Sequence, residues 1–336
     1  MEIPVITGER SVGVRTVPEP VPAGEWVVIR VDVAPMCTEY KSYLTGHEAD
    51  SLGHEAAGEV VAIDPAADPN VAVGDRVVVM PQTGCGRCSL CREGAYIHCQ
   101  QGAADVPIDG RARFAPYVCA QDWLCIDIPS TLSIRHASLA CCGLGPTYAA
   151  CNRLAVAAPD IVLVSGCGPV GLGGIIHARS RGATVLAIEP NSYRADLASA
   201  LGATVVDPTD DPVTTIRNRT NGVGVDVAIE CTGVSAAQRV AIDATRRRGA
   251  IAFVGEGDDL QLHTSDDLLR KGLAVHGIWH YDLGLAPELL ALIGEQEAAI
   301  ETMVTHEYPL SSIETAFETQ AAGRTGKVLL SPWMDD

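Results

Sequence analysis

The spacing of apolar residues changes in character about midway along the 336-residue chain. In the first third, apolar positions alternate with other residues, as in EWVVIRVDV, where Val27, Ile29, Val31 and Val33 fall on one side. HEAAGEVVAI and VGDRVVVMP continue as short apolar runs bounded by Gly and Pro. A period of two between turn residues is typical of β-strands, so this region is predicted to be β-rich with long loops.

Strands and helices alternate from about residue 150. IVLVSGCGPVGLGGIIHARSRGA predicts a strand, a glycine turn and a helix, and TVLAIEP followed by NSYRADLASALGA predicts the next strand and helix. TVVDP, VDVAIECTG, GAIAFVGEG and LAVHGIW continue as strands, and a helix after Pro287, a helix around SSIETAFETQAAG and a closing strand KVLLSP follow. Alternating units with apolar strands predict an α/β fold with a doubly wound parallel sheet.

Composition narrows the class of protein. A formal net charge of -18 repels phosphate backbones and anionic lipid, so nucleic acid and membrane are not expected as partners. No apolar run is long enough to span a bilayer, and the N-terminus lacks a signal-peptide pattern, which predicts a cytoplasmic protein. The 12 cysteines are then metal ligands, reactive thiols or small buried hydrophobes rather than disulfides.

Four cysteines lie in the fifteen-residue segment CGRCSLCREGAYIHC. Four thiolates match the closed tetrahedral shell of a structural zinc ion, and three nearby glycines permit the tight turns. Two disulfides are disfavoured by the compartment, and an iron–sulfur cluster lacks the Cys-Pro signature of bacterial ferredoxins. The segment is therefore predicted to hold a structural zinc through Cys85, Cys88, Cys91 and Cys99.

A second set of metal-ligating side chains is scattered through the β-rich region. Cys37 is followed by His54 and Glu55, and ASLACCGLG brings Cys141 and Cys142. One histidine and two cysteines would form a three-ligand zinc site with a fourth position open to a substrate oxygen. Taken singly, each residue has another interpretation, since a lone cysteine is more often a buried hydrophobe and a lone histidine more often structural.

The glycine turn GCGPVG fits the dinucleotide-binding pattern G-x-G-x-x-G, and it follows a predicted strand and opens a helix, as that pattern requires. The first glycine makes the tight turn, the second admits the pyrophosphate and the third lets helix and strand pack closely. The helix N-terminus offers free N–H groups to the phosphates. The predicted cofactor-binding residues of the turn are Gly166, Gly168, Pro169, Val170 and Gly171.

Glu189 ends the strand after the glycine turn. A carboxylate at this position accepts hydrogen bonds from the ribose hydroxyls and repels a 2′-phosphate, which favours NAD over NADP. Arg194 follows five residues later and is interpreted as an adenine-side contact or a solvated helix charge. As a cation near the ribose it is also a weak argument for NADP.

GHEAAGEV, VGDRV, the C-x2-C-x2-C-x7-C loop and the glycine turn occur together in an order and approximate spacing that resembles the zinc-dependent medium-chain dehydrogenase/reductase family. The resemblance covers essentially the whole chain. It implies a GroES-like catalytic domain in residues 1–145 and 287–336, and a Rossmann NAD-binding domain in residues 146–286. By position it also implies five roles: Cys37, His54 and Cys142 as catalytic zinc ligands, Glu55 as a neighbour that tunes or transiently binds the metal, and Lys327 near the cofactor phosphates.

The segment after Cys37 departs from the family pattern. Most members have Ser or Thr two residues after this cysteine, where the hydroxyl relays the substrate proton, but here Glu39 occupies that position and Thr38 comes one residue early. Either Thr38 is the relay, or Glu39 accepts the proton directly, which the motif position narrowly favours. The alternative for Glu39 is that it orients His54. The segment from Cys37 to His54 is also short for the family, which weakens inference about the substrate.

The sequence as a whole predicts an enzyme with two zinc ions per chain that transfers hydride between an alcohol and NAD. With only 15 aromatic residues (Trp 4, Tyr 8, Phe 3), a secondary alcohol on a polyol, sugar or cyclitol is favoured over a greasy substrate. An aldehyde or ketone reductase of the same fold, a Rossmann methyltransferase and a non-catalytic zinc-stabilised binding protein are the alternatives. The expected assembly is a homodimer or homotetramer.

Overall fold

The computed structural model describes residues 1–102, 112–257 and 259–335, and the chain divides into two compact units. Unit 1 comprises Met1–Gly143, Asp282–Ile300 and Val304–Asp336, and unit 2 comprises Leu144–Tyr281 and Glu301–Met303. The predicted domains end at residue 145 and resume at 287, whereas unit 1 ends at 143 and resumes at 282. The short return of residues 301–303 to unit 2 has no counterpart in the prediction.

The strands follow the predicted apolar runs, with small shifts at their ends. In chain order they are β1 (Glu2–Gly8), β2 (Ser11–Thr16), β3 (Trp26–Pro35), β4 (Ala56–Ala62), β5 (Arg76–Val79), β6 (Tyr117–Gln121), β7 (Cys125–Asp127), β8 (Ile161–Ser165), β9 (Thr184–Ile188), β10 (Thr204–Val206), β11 (Val225–Glu230), β12 (Thr245–Phe253), β13 (Ala274–Gly277), β14 (Val304–Pro309) and β15 (Lys327–Ser331).

The α-helices concentrate in the second half of the chain. In chain order they are α1 (Glu39–Thr45), α2 (Ser89–Arg92), α3 (Ile134–Ala137), α4 (Gly145–Arg153), α5 (Pro169–Ser180), α6 (Ser192–Ala200), α7 (Pro212–Arg219), α8 (Ser235–Ala244), α9 (Ala286–Glu295), α10 (Glu297–Met303) and α11 (Ile313–Ala321). The helix predicted after Pro287 begins at Ala286, because a proline fits the first turn, where no N–H is needed. A π-helical segment, Thr264–Leu269, precedes β13.

Unit 1 is built around a sheet in the order β14-β15-β3-β4-β5-β7, with β6 also paired to β3. β15, from the end of the chain, pairs with β3 through Leu329 opposite Pro35 and Leu330 opposite Ala34. Helix α11 packs on α1, where the rings of Tyr43 and Phe317 stack with centroids 5.1 Å apart. These contacts fix the chain on either side of Cys37, which lies between β3 and α1.

Unit 2 contains six parallel strands in the order β10-β9-β8-β11-β12-β13. Numbered from the first strand, this is the 3-2-1-4-5-6 order of a doubly wound dinucleotide-binding sheet, and it confirms the predicted α/β architecture. The strands are apolar because helices shield both faces: Val162, Leu163 and Val164 of β8 have no exposed surface. Among the described residues, no helix is long and apolar enough to cross a membrane.

Candidate active site and metal centres

The second predicted set of metal ligands comes together in unit 1, although its members are far apart in the sequence. Cys37 follows β3, His54 and Glu55 directly precede β4, and Cys142 follows the helical turns after α3. One ligand atom from each of the four residues lies within 4.8 Å of the others. The Sγ atoms of Cys37 and Cys142 are 3.8 Å apart.

This geometry fits a zinc ion. Two thiolates on one tetrahedral zinc, each with a Zn–S bond of about 2.3 Å, stand roughly 3.8 Å apart, as these two do. Cys141 lies outside the set, and its thiol donates instead to the carbonyl of His54 at 3.6 Å. The structure therefore groups Cys142, and not its neighbour, with Cys37 and His54.

Glu39 positions His54. Its Oε1 is 2.7 Å from Nδ1 of His54, and its Oε2 accepts the backbone N–H of Cys37 at 2.9 Å. A histidine that donates one ring N–H to a carboxylate presents its other nitrogen to a metal in a fixed orientation. Burial opposes protonation of His54, but its contacts with Cys37 and Glu39 outweigh burial and raise the pKa of His54 to about 11.

These contacts favour the alternative role of Glu39, which is to orient His54, and its role as the direct proton acceptor stays a prediction. Both carboxylate oxygens are engaged, one on a metal-ligating side chain and the other on the backbone of a second ligand. Burial opposes ionisation of Glu39, yet the His54 partner lowers its pKa, so the carboxylate stays charged as the acceptor of that hydrogen bond. Thr38 is exposed, and its hydroxyl makes no cap hydrogen bond to α1.

Glu55 and Lys327 form a fully buried ion pair beside the ligand set. Nζ of Lys327 lies 2.5 Å from Oε1 of Glu55, and neither side chain is exposed. Burial raises the pKa of Glu55 even though the ammonium opposes that shift. Oε2 of Glu55 is buried without a hydrogen-bond partner among the described residues, which fits a role as an occasional ligand of the metal. Lys327 was predicted near the cofactor phosphates, but the structure places its ammonium against Glu55.

The four-cysteine loop folds as a compact ligand cage in the same unit. Ligand atoms of Cys85, Cys88, Cys91 and Cys99 all lie within 4.8 Å of one another. The Sγ atoms of Cys85 and Cys91, and those of Cys88 and Cys99, are 4.0 Å apart, close to the edge of a zinc–thiolate tetrahedron. All four ligands come from one short segment, so no position is left for a substrate.

Backbone N–H groups favour the thiolate at Cys85 and Cys99, whereas burial raises the pKa of Cys91. The N–H groups of Arg87 and Cys88 lower the pKa of Cys85. Burial opposes ionisation of Cys99, but N–H groups of Cys85 and Gln101 outweigh it and lower its pKa to about 6. Hydrogen bonds to the charged form are the expected device where a thiolate must be stable without a side-chain cation.

The glycine turn of unit 2 has the geometry that the pattern predicts. Gly166 has φ +85°, and a Cβ added to Gly171 would come within 1.8 Å of the Gly166 carbonyl oxygen. A Cβ added to Gly168 would meet no atom within 4 Å, so the space beside this residue is open. Helix α5 begins at Pro169 with Val170 in its first turn, which directs free N–H groups toward that space.

Glu189 lies at the end of β9 against the turn. Its Oε2 accepts the N–H of Cys167 at 2.7 Å, and its Oε1 accepts the N–H of Asn191 at 2.9 Å. Each oxygen retains a lone pair for a ribose hydroxyl. Nε of Arg194 is buried without a hydrogen-bond partner in the described chain, consistent with a missing acceptor nearby.

Gln320 was not predicted to belong to the site. Its Nε2 donates to the carbonyl of Cys37 at 2.6 Å, so α11 holds the backbone of a metal ligand. The signal was present in the helix: Ile313, Ala316 and Phe317 form a buried stripe, and Gln320 continues its spacing as the polar member. A polar residue in an apolar stripe calls for a specific partner.

The chain matches two family models and many known proteins. Residues 23–130 match the family model described as "Alcohol dehydrogenase GroES-like domain", and residues 169–295 match "Zinc-binding dehydrogenase". An L-threonine 3-dehydrogenase of Symbiobacterium thermophilum is 33% identical, with 94% of this chain and 93% of the relative covered. The chain belongs to the zinc-dependent medium-chain dehydrogenase/reductase family. The predicted resemblance is therefore confirmed.

Other members of the family agree over the whole length. A sorbitol dehydrogenase of Bacillus subtilis is 30% identical over 95% of this chain and 93% of its own. An alcohol dehydrogenase from Thermus sp. ATN1 superimposes with a TM-score of 0.87 at 27% identity, covering 98% and 99% of the two chains. A 2R,3R-butanediol dehydrogenase from Bacillus subtilis gives a TM-score of 0.84 at 29% identity, with 98% and 99% covered.

Membership settles the general activity and the cofactors. The protein is a zinc-dependent oxidoreductase of the alcohol dehydrogenase type, which acts on the CH–OH group of a small molecule with NAD. The predicted GroES-like and Rossmann folds are confirmed, and two donor sets are present for zinc. The methyltransferase and non-catalytic alternatives are thereby set aside.

Proposed function

We propose that this dehydrogenase oxidises the secondary hydroxyl of a small polar substrate, such as a polyol, a sugar or a related hydroxylated acid, at the Cys37/His54/Cys142 site. The observation that carries the site assignment is the convergence of these ligands beside Glu55, in a unit that also holds a separate closed cage. An open three-ligand zinc, when bound, acts as a Lewis acid on the hydroxyl oxygen of the substrate.

Relatives support the secondary alcohol. Their names specify dehydrogenation at carbon 3 of L-threonine and at carbon 5 of L-idonate, and both are internal carbons. Sorbitol and butanediol dehydrogenases also occur among the similar proteins. The scarcity of aromatic residues points the same way, since 4% of the chain offers few rings for a greasy pocket.

The protein's own residues perform the supporting steps. Glu39 holds the Nδ1 proton of His54 and thereby fixes the ring, and Gln320 holds the carbonyl of Cys37. The ammonium of Lys327 compensates the negative charge of Glu55 next to the metal ligands. With Glu39 engaged, we assign the proton relay to the exposed hydroxyl of Thr38. Thr38→Val should cut turnover by about 10²-fold and Thr38→Ser should restore it, whereas equal rates would remove Thr38 from the mechanism.

A substrate panel tests the function. The zinc-loaded protein is mixed with NAD and with sorbitol, L-threonine, L-idonate, 2,3-butanediol or a primary alcohol, and absorbance at 340 nm is recorded. One of the first four substrates, which all carry a secondary hydroxyl group, should give the highest kcat/KM. Preference for the primary alcohol would contradict the proposed class, and activity only from the carbonyl side with NADH would reassign the protein as a reductase.

Cofactor preference gives an independent test in unit 2. We expect NAD to be used in preference to NADP, because the Glu189 carboxylate meets a 2′-phosphate with like charge. Glu189→Ser should lower the ratio of kcat/KM with NAD to kcat/KM with NADP by at least tenfold. Asp196→Ser, on the exposed face of α6, is the control. Equal use of both cofactors by the unaltered enzyme would overturn the role of Glu189.

The expected assembly and compartment extend this proposal. Free thiols support a reducing compartment such as the cytoplasm, since all 12 cysteines are unbridged, and the homodimer or homotetramer stays a prediction. Light scattering of the purified enzyme measures the mass in solution. A monomer at working concentration would contradict the expected oligomer.

A further inference from the structure

A cavity of about 530 Å³ opens at the edge of the unit 2 sheet where β11 and β12 begin. The glycine turn follows the carboxyl end of β8, and all strands of this sheet are parallel. The cavity therefore lies at the edge of the sheet opposite the cofactor turn. It is lined by the last turn of α7, the bend at Gly222 and Val223, the end of α8, the start of β12, the π-helical segment and Lys271.

The acidic residues of this cavity are each paired with an arginine outside its lining. Asp267 accepts two hydrogen bonds from Arg239, at 2.8 and 2.9 Å, and Asp243 accepts two more from the same guanidinium, at 2.6 and 2.9 Å. Asp266 pairs with Arg270. Two arginines thus face three carboxylates, which leaves this group with a net charge of about −1, less than the positive charge of the three basic residues of the lining that pair with no described carboxylate.

The basic residues of the lining are not neutralised in the same way. Arg246 pairs with Asp226 at 2.7 Å. In contrast, Arg217 donates to the backbone carbonyl of Asp243 at 3.2 Å, and Arg247 donates to the carbonyl of Arg270 at 3.0 Å. Within residues 1–102, 112–257 and 259–335, no carboxylate forms a salt bridge with Arg217, Arg247 or Lys271. Three cations thus face one cavity in a chain whose formal net charge is -18.

Lys271 is the least exposed of the three cations, and burial is the main influence on its pKa. Its ammonium lies against the carbonyls of Ile242 and Asp243 at the end of α8. Burial, joined by the charges of Arg217 and Arg239, lowers the pKa of Lys271 despite nearby carboxylates. An anion in the cavity would relieve this repulsion. The carbonyl of Asp243, at the end of α8, accepts one hydrogen bond from Arg217. A guanidinium has five N–H donors, so others can bind an anion.

We propose that this cavity binds the phosphate group of a small phosphorylated metabolite. Planar guanidinium groups match phosphate oxygens through paired, charge-assisted hydrogen bonds, and Arg217, Arg247 and Lys271 surround one space. The volume exceeds that of a phosphate ion and lies in the range of small-molecule sites. At its rim Val223 is 61% exposed and a Cβ on Gly222 would meet no atom within 4 Å, which leaves room for the rest of the ligand.

The test counts bound phosphate on the whole enzyme. Zinc-loaded protein, saturated with NAD to occupy the cofactor turn, is equilibrated by dialysis with radiolabelled inorganic phosphate at constant ionic strength. One phosphate per chain should bind, and the Arg217→Gln/Arg247→Gln double variant should weaken it by at least tenfold. Arg219→Gln, on the same helix but outside the lining, is the control and should bind as the unaltered enzyme does. Zinc content and dehydrogenase activity, which these exposed positions should not change, verify folding.

Two results would overturn the proposal. Undiminished binding in the double variant would place the phosphate elsewhere, and an equal loss in Arg219→Gln would mean that general surface charge is responsible. Competition by glucose 6-phosphate then distinguishes the ligand's source. Displacement at lower concentration than inorganic phosphate identifies a phosphate ester as the ligand, as proposed, whereas weaker displacement would restrict the site to free phosphate and overturn that assignment.

Discussion

The two metal-binding sets of unit 1 use the same chemistry with opposite chain topology. The closed cage takes all four thiols from residues 85–99, whereas the open set joins Cys37 to Cys142 across 105 positions and adds His54 from between them. The closed cage is stabilised by its own backbone N–H groups. The open set depends on side chains from α1, α11 and β15.

This difference separates stability from reactivity. A cage that is complete within one loop needs only that loop to fold, and it offers no position to a substrate. A set that is assembled from distant segments is oriented by the fold, and each supporting contact can tune the metal. The contrast predicts that equivalent cysteine substitutions have different consequences in the two sites.

The largest effect is expected at the open set. Cys142→Ser should reduce turnover by about 10³-fold or more, because a metal Lewis acid supplies several kcal/mol of transition-state stabilisation. The fold should persist, with metal analysis falling from two zinc ions per chain toward one. Cys141→Ser, the adjacent buried thiol outside the set, is the control. Loss of activity in Cys141→Ser alone would reverse the ligand assignment.

The cage should respond in stability. Cys88→Ser should lower the free energy of unfolding on the order of 3 kcal/mol, a fraction of the roughly 10 kcal/mol with which structural zinc stabilises a small domain. Chemical denaturation measures this change, and turnover per folded, zinc-loaded molecule should stay close to normal. Cys119→Ser, a buried thiol outside the cage, controls for removal of a core sulfur. If Cys88→Ser cuts turnover without destabilising, the two sites have been confused.

A smaller effect is expected from the support of His54. Glu39→Gln preserves shape but removes the charge that fixes the ring, and zinc affinity of the open set should fall by about 10–100-fold. With zinc in excess, turnover should recover substantially, because positioning rather than proton transfer is lost. Exposed Glu48→Gln is the control. A fall of about 10²-fold that persists at full zinc occupancy would instead make Glu39 the proton acceptor.

The smallest effect is expected at Gln121, whose side chain binds the backbone just before the cage. The buried amide of Gln121 donates to the carbonyl of Gly84 at 2.8 Å and accepts its N–H at 3.0 Å, immediately before Cys85. Gln121→Leu should cost about 1–1.5 kcal/mol of stability through these lost hydrogen bonds, with kcat/KM unchanged. Denaturation curves against the exposed Gln101→Leu variant provide the measurement. An altered kcat/KM would mean that the cage and the open set are coupled.

The sequence was most informative where function depends on local spacing. The cage and the glycine turn are contiguous, so residues 85–99 and 166–171 could be assigned from pattern alone. The parallel sheet was also predictable, because its strands are apolar throughout and alternate with helices. Exact strand ends were not, since β12 begins four residues earlier than the predicted GAIAFVGEG, in the basic run before it.

Contacts between residues that are far apart in the chain could not be predicted from the sequence. The sequence left two roles open for Glu39, and it could not show that His54 and the Cys37 N–H contact its two oxygens. Lys327 could be matched to a position in relatives, but its pairing with Glu55 spans 272 residues and no local pattern encodes it. Gln320 was missed for the same reason, although the stripe of α11 marked it. Such contacts depend on which strands become neighbours, and that is decided by the whole sheet.

The pairing of β15 with β3 has a consequence for synthesis of the chain. Lys327 follows Glu55 by 272 positions, so it is synthesised after the four-cysteine loop and after all ligands of the open set. Until β15 has been synthesised, Glu55 lacks its ammonium partner and the sheet of unit 1 lacks that strand. The four-cysteine loop, by contrast, leaves the ribosome complete. The nascent protein is therefore expected to acquire its two zinc ions in a fixed order, with the structural metal first and the catalytic metal only after β15 has joined the sheet.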